Sequence, residues 1–334
     1  MYKTQFHTTD ISNKTFLITG GAGFIGSNIV EYLLKYKAGT VIVLDNLSTG
    51  FKENLKDFLA LPNFTFIEGD ICDLSTCQKA CAGVDFVFHQ AALGSVPRSV
   101  NNPIATNNVN VNGFINILLA ARDNKVKRIV YASSSSVYGD NKDFPKVEEK
   151  TGNLLSPYAV TKRANELYAD VFNRVYGIEI TGLRYFNIFG PRQNPKGEYA
   201  AALPLFMQAI LNNESPFING DGEQSRDFTF IENAVQANIK AMFSDKKEGV
   251  AKVYNVAVGE KISINKLFDV LKKIADSTVN AKHRENRPGD IRDSLADISK
   301  AKKDLGYNPQ VHVEDGLKTT FEWFKKYFGA KQTA

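Results

Sequence analysis

One stretch constrains the fold of this chain more than any other: Thr15-Phe-Leu-Ile-Thr-Gly20-Gly-Ala-Gly23-Phe-Ile-Gly26-Ser-Asn-Ile-Val-Glu-Tyr-Leu-Leu34. Its apolar run at Phe16–Ile18 reads as a buried strand. Three glycines follow at a spacing of three, and then a helical period takes over at Ile25, Ile29 and Leu33, with Val30 and Leu34. The first glycine allows a tight turn, the second lets backbone approach a pyrophosphate, and the third lets helix and strand pack closely. A helix that begins there offers its free N–H groups and its positive dipole end to phosphates. The next strand, Val41–Leu44, runs into Asp45, 19 positions after Gly26. A dinucleotide-binding unit places a carboxylate for the adenosine ribose at about that distance. The carboxylate would repel a 2′-phosphate, so the expected cofactor is NAD rather than NADP.

Strand–helix alternation continues from Asp45 to about Gly182. Apolar runs lie at 64–67, 84–88, 128–132 and 179–183, with helical patterns at 75–82, 104–124 and 157–176. This predicts an α/β protein with a Rossmann-type doubly wound parallel sheet. The alternation weakens after about Asn187, where a smaller, mixed α/β C-terminal substrate domain is expected. The expected boundaries are 12–186 for the NAD-binding domain and 187–330 for the substrate domain, with 228–258 partly returning to the first. The polar segment Met1–Asn13 reads as a short extension on the surface, with no signal-peptide core.

Composition narrows the function classes. At 334 residues, 43% hydrophobic and 23% charged, the sequence is that of a globular protein of about two domains. A net charge of +5 from scattered basic residues does not suggest a nucleic-acid partner. No apolar run approaches the ~20 residues of a membrane span. Cys72, Cys77 and Cys81 fit no metal motif and read as free thiols, so a cytoplasmic protein without a metal is expected.

Ligands of such sheets bind beyond the carboxyl ends of the strands. After the third strand come Gly69, Asp70 and Ile71, placed to meet the adenine; after the fourth come Gln90, Ala91 and Ala92, where small side chains would let the cofactor ribose lie close. His89, at a buried strand end, is taken as structural. The fifth strand runs into Ser133, Ser134, Ser135 and Ser136, candidates for substrate contacts. Ser156-Pro157 then opens a helix that carries Tyr158 and Lys162 on one face, four residues apart. A phenol has a pKa near ~10, so its use as a base at neutral pH costs about 4 kcal/mol, which a nearby ammonium and an oxidised nicotinamide would offset.

Gly20-x-x-Gly23-x-x-Gly26, the serine run and Tyr158-x-x-x-Lys162 together resemble the extended short-chain dehydrogenase/reductases. Within them the chain is most similar to UDP-hexose 4-epimerases, especially those that handle UDP-N-acetylglucosamine. Segments 90–98, 183–187, 218–222, 225–228, 287–290 and 294–300 carry the closer likeness. The serine run differs from the closest relatives at Ser133 and Val137, and Pro191 stands where they have an arginine.

The resemblance implies roles. Ser134, Tyr158 and Lys162 match the catalytic hydroxyl, the base and its partner. Cofactor contacts fall on Gly20, Gly23, Phe24, Ile25, Gly26, Asp45, Asn46, Ser48, Thr49, Gly50, Asp70, Ile71, Gln90, Ala91, Ala92, Asn110 and Tyr185, beside Tyr158 and Lys162. Substrate contacts fall on Gly94, Ser95, Ser134, Ser135, Ser136, Asn187, Gln193, Ala201, Ala202, Leu203, Phe217, Asn219, Arg226, Arg287, Asp290 and Ser294. Asn187, Arg226 and Arg287 would hold the diphosphate, and Asp290 the uridine ribose. The implied reaction is redox-neutral: the 4-hydroxyl is oxidised at the expense of NAD, the 4-keto sugar turns about its diphosphate link, and the hydride returns to the other face.

The resembling dehydratases and decarboxylases carry acids before Val137-Tyr138-Gly139, where this chain has Ser135 and Ser136. Ser294 replaces the large tyrosine usual in epimerases of unacetylated sugars, which leaves room for an acetamido group but does not exclude UDP-glucose. UDP-glucuronate 4-epimerases remain the nearest alternative, and a non-catalytic NAD- or nucleotide-sugar-binding regulator a more distant one. By the same resemblance, helices 104–124 and 157–176 would pair in a homodimer.

Overall fold

The computed structural model describes residues 1–194, 202–245, 252–285 and 292–332. Six strands follow one another through the first half: β1 (Thr15–Thr19), β2 (Thr40–Asp45), β3 (Phe64–Glu68), β4 (Phe86–His89), β5 (Arg128–Ser134) and β6 (Glu179–Tyr185). A seventh, Lys252–Val256, lies beside β6, with Val253 opposite Gly182. The sheet order is β3-β2-β1-β4-β5-β6 and then Lys252–Val256, and every pairing is parallel. The order reverses between β1 and β4, which opens a crevice at the carboxyl edge. Each face is covered. Phe114, Ile117, Leu118 and Ile129 belong to one apolar layer, and Ile29, Val30, Leu33, Val235 and Ile239 to the other.

Helix α1 (Phe24–Lys35) follows the glycine turn, and α2 (Leu74–Cys81) is capped by Asp73, whose carboxylate accepts from the Ser75 amide at 3.0 Å. The helix Pro157–Tyr176 starts at Ser156, whose hydroxyl accepts from the Ala159 amide at 3.1 Å, and ends at Gly177 with φ of 70°. The helix expected over 104–124 is not continuous. Pro103–Asn107 is followed by one π-helical turn, Asn108–Asn112, and only then by Gly113–Asp123. Asparagines fill that turn, and Asn110 leaves the helical pattern to bond a neighbouring loop.

The amino-terminal segment also departs from expectation. Tyr2, Phe6, His7 and Ile11 are buried rather than laid on the surface. Phe6 stacks on Tyr32 with ring centres 5.3 Å apart, and Tyr2 donates its hydroxyl proton to Asn28 Oδ1 at 2.8 Å. The outer face of α1 carries Tyr32 and Tyr36, aromatic surface that needs a cover, and the few apolar residues of the extension supply it.

In the second half, the helix Ile231–Met242 packs on α1 and on β5 and β6. Short strands Ser225–Arg226 and Ile262–Ser263 pair antiparallel, and Phe217–Asn219 pairs parallel with Lys282–Arg284.

Candidate active site

Two adjoining cavities open at the carboxyl edge of the sheet, and Ser95 lines both. The larger, of about 540 Å³, lies over the glycine turn. Gly20 sits at φ of 68°, and a Cβ there would stand 2.6 Å from the Ala91 amide nitrogen. A Cβ on Gly26 would come within 2.2 Å of the Gly20 carbonyl oxygen, so turn and helix can approach only without side chains. Among the described residues no side chain caps the amino end of α1, which leaves its first amides facing this cavity. Asp45 closes the far end. Its carboxylate accepts from the amides of Ala22 (2.9 Å) and Leu47 (2.8 Å), while burial pushes its pKa up against those bonds. At Asp70 the same burial is outweighed by bonds from Cys72 and Asn46, which hold it below the usual range.

Gly23, Phe24, Ile25, Asn46, Ser48, Thr49, Gly50, Ile71, Gln90, Ala91 and Ala92 line the same cleft, as expected from sequence. So does Gly69, expected with Asp70 and Ile71; so too do Gly94 and Gln193, which the resemblance assigns to the sugar, and Leu44, Leu93, Arg98, Val109 and Asn194, which sequence reasoning missed. Asn110 and Tyr185 lie behind the wall. Asn110 accepts from the Leu93 amide at 2.7 Å and donates to the Leu93 carbonyl at 3.2 Å. Tyr185 donates to Gln90 Oε1 at 3.2 Å, which holds that amide in the cleft. His89 is fully enclosed, hydrogen-bonded to Thr19 Oγ1 at 2.8 Å, with burial driving its pKa down to about 3, so it stays neutral within the sheet.

The second cavity, of about 340 Å³, is lined by Ser134, Ser135, Ser136, Tyr158, Asn187, Arg226 and Ser294. It also takes Val96, Tyr138, Lys146, Phe186 and Asp293, which sequence did not suggest. Lys146 arrives there because it forms an isolated bridge to Ala296, and its amide donates to the Leu295 carbonyl at 2.8 Å. No local pattern around it carries that information.

Tyr158 and Lys162 are brought together with Ser134. Burial raises the pKa of the Tyr158 phenol, and the neighbouring Ser134 hydroxyl offsets part of that rise. Lys162 is 2% exposed, donates to the Ala132 carbonyl at 2.8 Å, and stands 5.9 Å from the Tyr158 ring centre. Burial lowers its pKa to about 8. Asn187 is held at φ of 38° and donates to the Asp227 carbonyl at 3.0 Å. Other assigned residues stand apart: Leu203 is in the core, Ala202 is exposed, and Phe217 and Asn219 meet Arg284 on the outer strand pair. Ala201, Arg287 and Asp290 lie outside the described residues.

Residues 16–257 match the NAD dependent epimerase/dehydratase family. This chain belongs to that family. The glycine turn, the open helix end and Asp45 in the larger cleft fit the NAD that the family uses. Among proteins similar to this chain is a putative UDP-glucose 4-epimerase of Methanocaldococcus jannaschii, 40% identical over 92% of this chain and 98% of its own. The solved UDP-N-acetylglucosamine 4-epimerase of Methanobrevibacter ruminantium, in complex with UDP-N-acetylmuramic acid, is 41% identical with a TM-score of 0.90 over 95% of this chain and 99% of that one. The UDP-glucuronic acid 4-epimerase of Bacillus cereus, solved with UDP-glucuronic acid and NAD, is 31% identical with a TM-score of 0.86 over 94% and 99%.

Proposed function

We propose that this NAD-using enzyme of the UDP-sugar 4-epimerase kind interconverts UDP-N-acetylglucosamine and UDP-N-acetylgalactosamine. The observation that carries the substrate is Ser294, a small side chain on the wall of the cavity that also holds Ser134 and Tyr158. The likeness to the Methanobrevibacter enzyme supports it. Bound NAD supplies a reversible two-electron acceptor beside the sugar. The chain's residues do the rest. Tyr158 takes the proton of the 4-hydroxyl, Lys162 stabilises the phenolate, and Ser134 shares the proton and orients the hydroxyl. Asn187 and Arg226 hold the nucleotide side of the substrate, which leaves the hexose free to present either face.

A second reading, UDP-glucuronate, is favoured by Lys146, a cation in the sugar cavity, and by the Bacillus relative. Proton NMR of the protein with UDP-GlcNAc, UDP-Glc and UDP-glucuronate in turn decides between them. Conversion mainly of UDP-GlcNAc supports the proposal, and equal conversion of UDP-Glc removes the selectivity. Inversion of the glucuronate alone replaces the substrate, and no conversion with NAD added overturns the reaction. Replacing Ser294 by Tyr should then suppress UDP-GlcNAc turnover more than UDP-Glc turnover.

The expected homodimer rests on one face. Val160, Leu167, Val171 and Val175 of the helix Pro157–Tyr176 are 44 to 64% exposed, while Thr161, Lys162, Asn165 and Glu166 on its other side are buried. This apolar stripe, with Val100 and Ile104 also exposed, supports an isologous helical interface.

A further inference from the structure

Ser133, one of the places where the serine run departs from the closest relatives, has no part in the sites above. Its side chain points away from the sugar cavity into the protein, where its hydroxyl donates to Glu166 Oε1 at 2.7 Å. Glu166 lies one helical turn beyond Lys162 and is buried. Arg184, 1% exposed, grips both its oxygens, through Nε to Oε1 at 2.8 Å and Nη2 to Oε2 at 2.9 Å. Arg163 adds a bond to Oε2 at 2.8 Å. Arg184 is itself paired with Ser133 across the β5–β6 ladder, so the acid sits at a corner fixed by two strands and one helix.

The helix is therefore fastened to the end of β5 at successive residues. Lys162 bonds the carbonyl of Ala132 and Glu166 bonds the hydroxyl of Ser133, and the next residue is Ser134. With both fastenings made, the helix cannot slide or roll against β5 without breaking charge-assisted bonds in a dry interior. That slide is the motion that would separate the Tyr158 phenol from the Ser134 hydroxyl.

We propose that Glu166, acting through Ser133, is a positioning residue that sets how the Ser134 hydroxyl meets the Tyr158 phenol on the cavity wall, and so the readiness of Tyr158 to act as base. The proposal rests on Tyr158 being that base. Among the described residues, the charged groups that face the phenol are Lys162 on its own helix and, across the cavity, Lys146, Arg226 and Asp293. None of them belongs to the Ser133–Glu166 corner.

Ser133→Ala tests this with the least damage, since it removes the link to the strand and leaves Glu166, Arg184 and Arg163 paired. Its kcat should fall about tenfold, with KM for the UDP-sugar and affinity for NAD within twofold of wild type. The phenolate absorbance attributed to Tyr158, taken as the difference from Tyr158→Phe, should titrate at higher pH in Ser133→Ala. Ser133→Thr, which keeps a hydroxyl, should restore both. Glu166→Gln should show the same kcat loss together with a fall in Tm, because Arg184 loses its counter-charge. If Ser133→Ala leaves kcat within twofold and the Tyr158 titration unmoved, the proposal is overturned. A wild-type protein that turns over no UDP-sugar would instead overturn the functional reading, while the absorbance titration would still decide the role of Ser133.

Discussion

Replacing Lys162 by Met tests the electrostatics of the proposed catalytic pair, Tyr158 and Lys162. The ammonium stands 5.9 Å from the Tyr158 ring centre and is itself buried, and methionine keeps a side chain of similar length without the charge. With an effective dielectric of ~20, a unit charge ~6 Å away contributes about 3 kcal/mol to the phenolate, roughly 100-fold in the fraction of active base. The sign follows from the chemistry. The base form is the anion, a nearby cation favours it, and its loss raises the pKa of the phenol. The kcat of Lys162→Met at neutral pH should therefore fall about 100-fold, and its acid limb should move about two pH units to the alkaline side. The assay is the pH profile of kcat under saturating NAD and UDP-sugar, with NAD binding measured in parallel. Turnover within fivefold of wild type and an unmoved limb would refute the reasoning, because the ammonium would then be too well screened to bias Tyr158.

Asp45→Ser should weaken NAD about 10- to 100-fold, the worth of a charge-assisted pair of bonds, and narrow its advantage over NADP; calorimetric titration with each dinucleotide reads both. Phe6→Ala, which removes a buried ring stacked on Tyr32, should cost about 3 kcal/mol and lower Tm by about 5–10 °C, whereas a residue of a surface extension would leave Tm unchanged. Leu167→Glu with Val171→Glu should give a monomer by light scattering, and an unchanged mass would remove the proposed helical interface.

Much of the fold was written in local pattern. The strand–Gly20-x-x-Gly23-x-x-Gly26–helix unit is dictated by sterics within a few residues, and Asp45 follows because the second strand must end beside the first. The strands of the parallel sheet could be read because they are buried on both faces and so appear as apolar runs. The helix carrying Tyr158 and Lys162 announced itself by Ser156 and Pro157. Period failed where side chains overrode it: the asparagines at 108–112 trade helical regularity for the bonds of Asn110 to Leu93.

The sequence alone therefore determined the cofactor cleft, since backbone shape, glycine sterics and one carboxylate are local properties. Tertiary structure decided what lines the second cavity, the proposed sugar site. Lys146 reaches that cavity through a bridge to Ala296, about 150 residues on, and Asp293 through a bridge to Ser225, which no spacing encodes. It also decided that the extension is core, because whether Tyr2 and Phe6 are covered depends on the aromatic face of α1. The corner at Glu166 was hidden for the same reason. A glutamate on a helix reads as solvent-facing until the fold places a buried arginine from β6 and a serine from β5 against it.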